Sequence, residues 1–104
     1  MAAIEATLTA RGVPYVKGKT WTTDALYRET PAKAARRRDE GCVTVEMEAA
    51  AFFAVAQFRG VTFAQILYSG DDLSGTEWDQ RDWYRRDSIR ENVFWLAVEA
   101  ALRL

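Results

Sequence analysis

The sequence predicts an α/β fold: a partial mixed or parallel sheet flanked by helices. Two observations carry this expectation. Helical and extended patterns alternate along the chain in the order α-β-α-β-α-β-α. Glycines punctuate the ends of the patterns, at Gly12, Gly41, Gly60 and Gly70. Apolar residues make up 49% of the 104 positions, which is enough for a globular core and argues against disorder.

The elements follow in order. Ala2 to Arg11 has a helical pattern stopped by Gly12 and Pro14, with no convincing N-cap. Tyr15 to Thr23 is rich in β-branched and aromatic residues and predicts a strand with an exposed or functional end. Asp24 to Glu29 reads as a short turn. Thr30 and Pro31 open a helix as N-cap and first helical residue, and it runs to about Glu40. Val43 to Val45 predicts a short buried strand. Glu48 to Arg59 predicts a helix closed by Gly60, apolar enough to be buried on most sides. Val61 to Ser69 gives the clearest strand pattern, ending at Gly70. Asp71 to Asp82 reads as a polar loop. Arg86 to Leu102 predicts a helix with Ile89, Val93, Leu96, Ala97 and Ala100 on one stripe.

Composition excludes several functions. The formal net charge of -1 gives no reason to expect nucleic acid or an anionic membrane as a partner. No apolar run is long enough to span a bilayer. There is no histidine, so Ser-His and Cys-His nucleophiles and histidine metal sites are excluded. The single cysteine, Cys42, gives no internal disulfide and no cysteine cage, so no metal is expected. With no signal peptide recognised, this predicts a cytoplasmic protein. Any acid-base chemistry falls to carboxylates, tyrosine or lysine.

Three clusters carry chemistry. Glu46, Met47 and Glu48 place two acids at the end of a core-like strand, where acids are costly. Two residues apart in extended backbone, both acids point the same way, as a two-pronged acceptor for neighbouring hydroxyls. The plainer alternative is an exposed Glu46, with Glu48 favoured by the dipole of the following helix. Ser69-Gly70-Asp71-Asp72 is either an ordinary turn or a strand end carrying a general acid. Trp21 to Tyr27 either packs at a sheet edge or lines a pocket for a flat base. Arg81, Arg85 and Arg86 orient the acidic loop or are ordinary surface charge, and Trp78 and Trp83 suggest a packed lid or a subunit contact. Arg36 to Arg38 reads as a solvated helix face. In an α/β sheet the strand carboxyl ends gather ligands, and all three clusters fall at that edge.

Taken together, the clusters resemble the carboxyl-terminal half of the nucleoside phosphorylase family, which includes purine nucleoside and uridine phosphorylases and related nucleosidases. The carrying segments are Gly41 to Ala51 (GCVTVEMEAAA), Tyr68 to Leu73 (YSGDDL) and Gly18 to Tyr27 (GKTWTTDALY). The last is similar to the family's Gly-x-x-x-Ser-x-Asp-x-Phe-Tyr segment. The likeness covers about residues 12 to 100.

The resemblance implies a role for each matched residue. Glu48 would bind the ribose hydroxyls, Met47 would pack on the sugar, and Glu46 would sit near base or sugar. Asp71, or Asp72 because Gly70 stands where the family usually has serine, would protonate the purine. Leu26 would border the base, where the family usually has a phenylalanine; from the residues themselves, Thr23 and Tyr27 are candidates for the same pocket and Arg81 and Arg85 for support of the loop. The uracil-reading Gln and Arg of uridine phosphorylases have no match in Arg28 to Arg38, which points to purines. No organic cofactor is implied; inorganic phosphate is the co-substrate and a nucleoside the partner. The family tends to form homo-oligomers.

The family's glycine-rich phosphate loop has no counterpart in this sequence. The expectation is therefore one partial domain, residues 1–104, forming half of an α/β/α phosphorylase-like fold. Two alternatives stay open: a hydrolytic nucleosidase fragment, or a non-catalytic remnant that binds nucleosides or only assembles.

Overall fold

A computed structural model of the chain describes residues 1–68 and 87–104. Among these, helices and a two-stranded parallel sheet make a small α/β assembly, as the alternating pattern predicts. The elements are α1 (Ala2–Ala10), β1 (Lys19–Thr22), a 3-10 turn (Leu26–Arg28), α2 (Pro31–Asp39), β2 (Cys42–Glu46), α3 (Ala49–Arg59) and α4 (Asp87–Ala101). The chain divides into two compact units: Val16–Phe63, and Met1–Tyr15 with Ala64–Leu104.

The unit Val16–Phe63 is built on the β1–β2 pair, with α2 as the crossover that parallel strands require. Lys19 pairs with Cys42 and Thr20 with Thr44, so Val43 is an extra residue in the ladder. Gly18 is needed beside it: a Cβ there would lie 2.5 Å from a Val43 methyl. Trp21 then pairs with Val45 and Thr22 with Glu46, which aligns the carboxyl ends of the two strands. Successive residues of β1 serve different helices. The Trp21 ring lies under Lys33 and Arg37 of α2, at 5.6 and 5.8 Å from the ring centre. The Thr22 hydroxyl instead meets the first turn of α3. This is the strand alternation acting on its two neighbours.

Helix boundaries follow the local signals. Thr30 Oγ1 accepts the Lys33 N–H at 3.3 Å, and Pro31 follows as the first helical residue. Gly60 closes α3 in the left-handed region, φ 66°, and lets Val61 N–H reach back to the Ala56 carbonyl at 3.0 Å.

In the second unit, α1 packs along α4. Leu8 and Ala100 are buried there. The predicted stripe on α4 faces inward at Ile89, Val93 and Leu96, while Ala97 is exposed. Arg11 bridges to Glu99 at 2.8 Å, and Arg103 meets the same carboxylate at 3.0 Å.

Four expectations are corrected. The strand predicted as buried over Val43 to Val45 forms, but Val43 and Thr44 are exposed, because no helix among the described residues covers that part of the pair. The strand predicted over Tyr15 to Thr23 is only Lys19–Thr22, because the ladder with β2 begins there. The segment from Val61 to Tyr68, which gives the clearest apolar pattern, has no strand ladder among the described residues. An apolar run supplies a face to bury, but a strand also needs a partner to take its backbone hydrogen bonds. Helix α3 is not buried on most sides. Only Ala49 and Ala56 are buried, and Phe52, Phe53, Val55 and Phe58 are exposed. A two-stranded sheet is too narrow to cover a helix apolar on this many sides. Phe52 and Phe53 find a smaller cover in Phe63, with ring centres 5.7 and 4.8 Å away.

Candidate functional site

The carboxyl ends of β1 and β2 meet the start of α3, and a polar network holds the three together. Thr23 N–H donates to the Glu46 carbonyl at 2.9 Å, extending the ladder by one bond beyond the strands. The Thr22 hydroxyl accepts the Ala50 N–H at 3.1 Å and donates to Glu46 Oε1. Glu46 Oε2 accepts the N–H groups of Glu48, at 2.8 Å, and Ala49. The first N–H groups of a helix have no partner within it. Here three consecutive amides, Glu48 to Ala50, are taken up by one carboxylate and one hydroxyl. The carboxylate also sits at the positive end of the helix dipole, where an anion is favoured.

Glu48 occupies the N-cap position of α3, but its side chain caps no helix amide. Among the described residues its Oε2 accepts the neighbouring Met47 N–H, at 3.2 Å, and the residue is exposed. Met47 is 43% exposed. A carboxylate and a thioether side chain thus stand side by side at the strand ends, open to solvent. A carboxylate in this setting can accept two hydrogen bonds at once.

The β1 end contributes differently. Thr23 is buried, and its hydroxyl donates to the Ala25 carbonyl at 3.2 Å, fixing the turn that follows. Leu26 and Tyr27 come next on the 3-10 turn and are 59% and 88% exposed. Asp24 pairs with Arg28 at 3.0 Å, one turn further on.

Two of the three predicted clusters therefore share one edge: Thr23, Leu26 and Tyr27 after β1, and Glu46, Met47 and Glu48 after β2. The third does not enter this geometry, because Asp71, Asp72, Arg81 and Arg85 lie outside the described residues, as do Trp78 and Trp83. Sequence reading paired Glu46 and Glu48 as a two-pronged acceptor or, in the plainer alternative, left Glu46 exposed and gave the helix start to Glu48. Their environments differ: Glu46 is half-buried and bound to the helix start, whereas Glu48 is exposed. Thr22 entered the sequence reading only within the Trp21 to Tyr27 run, with no role of its own. The signal that could have found it is a hydroxyl at one strand end opposite an acid at the other. Among the described residues no group of His, Cys, Asp and Glu is arranged to hold a metal ion, and no helix is long and apolar enough to cross a membrane.

A family model described as phosphorylase superfamily matches residues 1–102. No curated protein and no solved structure matches the chain.

Proposed function

The chain belongs to the phosphorylase superfamily, and on that premise we propose that it is the nucleoside-binding portion of a purine nucleoside phosphorylase. The observation that carries this reading is the exposed Met47–Glu48 step, held at the carboxyl end of a parallel strand pair. Glu48 accepts from the two ribose hydroxyls, a vicinal pair that one carboxylate can span. Met47 packs its thioether on the sugar face. Leu26 and Tyr27 offer apolar surface to the base, and Thr23 holds the turn that presents them.

In the reaction, the bond between C1′ and the base nitrogen breaks and its electron pair leaves with the base. The carboxyl of Asp71 or Asp72 protonates the departing purine, with Arg81 and Arg85 supporting that loop. An oxygen of inorganic phosphate forms the new bond to C1′. The sugar carries positive charge in the transition state, and the nearby carboxylates favour it electrostatically. No cofactor or metal takes part. The proposed setting is cytoplasmic, as one half of a phosphorylase domain that assembles as a homo-oligomer.

The test is to incubate the protein with inosine, adenosine and uridine, with and without phosphate, and to measure free base and nucleoside binding. Purine nucleosides should bind, Glu48→Ala should weaken binding, and any base release should require phosphate. Release without phosphate would make the chain a nucleosidase. No release, together with binding unchanged in Glu48→Ala, would overturn the reading.

A further inference from the structure

We infer that Thr22 and Glu46 form a positioning pair that sets the aim of Glu48, rather than contacting substrate themselves. The inference rests on the reading of Glu48 as the ribose ligand.

Both Glu46 oxygens already have partners: Oε1 the Thr22 hydroxyl, and Oε2 the amides of Glu48 and Ala49. Oε2 already carries both amides, so a sugar hydroxyl reaching this carboxylate would compete with charge-assisted bonds, which are about twice as strong as neutral ones. The Thr22 hydroxyl is also used in both directions, accepting from Ala50 N–H and donating to Glu46. Neither residue has its principal polar atoms free for a ligand.

What the pair fixes is backbone. The amide of Glu48 is bonded to Glu46, so the peptide joining Met47 to Glu48 is tied to the end of β2. Ala50, two residues on, is tied to the end of β1 through Thr22. Glu48 lies between these ties, and its Cα–Cβ direction is set by them. The two residues come from strands 24 positions apart, brought opposite one another by the Thr22–Glu46 register. The chain therefore uses one acid to aim the other. Holding a ligand group within a narrow angular range is what lets one carboxylate meet two hydroxyls together.

The discriminating variants are Thr22→Val, which keeps the shape and removes the hydroxyl, and Thr22→Ser, which restores it. The probes are adenosine and 2′,3′-dideoxyadenosine, titrated by NMR, alongside amide hydrogen exchange of Glu48 to Ala50 without ligand. Thr22→Val should speed exchange at Ala50 and weaken adenosine binding by about tenfold, the equivalent of one lost charged hydrogen bond. Its affinity for the dideoxy compound, which offers Glu48 no hydroxyls, should be unchanged. Thr22→Ser should return both readouts to within about twofold of wild type. A general structural defect would weaken both nucleosides alike and would overturn the inference. So would protected Ala50 exchange in Thr22→Val, whether or not nucleoside binds. Should Glu48→Ala leave adenosine affinity unchanged, the ribose reading itself fails. Should Glu48→Ala weaken it while Thr22→Val does not, only the positioning role fails.

Discussion

Thr7 in α1 and Thr23 at the end of β1 are both buried to within 1% of full burial, yet the two units treat their hydroxyls in opposite ways. Thr23 Oγ1 donates to a backbone carbonyl in its own turn. Thr7 Oγ1 has no hydrogen-bond partner among the described residues. The contrast extends to the surroundings. The strand-to-helix junction is ordered by hydrogen bonds between side chains and backbone, through Thr22, Thr23 and Glu46. The α1–α4 pair is ordered by apolar contact at Leu8 and Ala100, with ion pairs on its exposed side. Apolar contact is non-directional and tolerates a mismatched hydroxyl at some cost in stability. A junction that must present a side chain in one direction needs directional bonds.

The largest expected effect breaks the junction. Glu46→Ala leaves two helix amides and the Thr22 hydroxyl without their acceptor. It should cost about 3 kcal/mol, combining a lost cap with lost charged hydrogen bonds. Denaturant midpoints would check this, and a loss no greater than that of an ordinary surface substitution would show that the network contributes little. In the other unit, Leu8→Ala should cost about 2–3 kcal/mol, at the lower end for a buried leucine because the core is small. If the two regions differ as argued, Glu46→Ala should speed amide exchange chiefly at the start of α3, and Leu8→Ala chiefly in α1 and α4.

The paired threonines sharpen the comparison with opposite signs. Thr23→Val removes a satisfied hydroxyl and leaves the Ala25 carbonyl with the Arg28 N–H but without its side-chain donor, so stability should fall by about 1 kcal/mol. Thr7→Val removes an unsatisfied one at nearly constant volume, so stability should rise by about 1 kcal/mol. Thermal melts of the two variants decide it, and a destabilising Thr7→Val would mean the two sites are not different in kind.

The smallest effect is electrostatic. The hydrogen bond from Arg103, and then that from Arg11, hold the Glu99 carboxyl below its ordinary value. A carboxyl lowered in the folded state stabilises it above the unfolded-state value. That contribution fades as pH falls from the ordinary carboxylate range through the lowered folded value. Arg11→Ala should therefore narrow the stability difference between pH 7 and about pH 3, by a small amount because the groups are exposed and screened. Melts at the two pH values give the measure.

How much was legible in advance depended on the range of the interaction. The start of α2 could be read because Thr30 caps Lys33 three residues away, and the end of α3 because Gly60 takes a conformation that other residues resist. The acids at the β2 end announced a special position, since neither belongs in a core strand. The segment from Val61 to Tyr68 misled because apolarity was taken for pairing. That Glu46 rather than Glu48 serves the helix start could not be read, because two nearby acids of the same type differ only through what faces them.

Sequence alone determined the order of the helices and of β1 and β2, the cap at Thr30 and the stop at Gly60, the superfamily signature and the two residue clusters at the strand ends, because each depends on neighbours a few positions apart. Tertiary structure alone decided that Thr22 stands opposite Glu46, that this acid is spent on the helix start, and that Glu48 is left facing solvent. The reason is that a carboxylate's role follows from the donors within about 3 Å of it, and here the decisive donors come from another strand and from the first turn of α3.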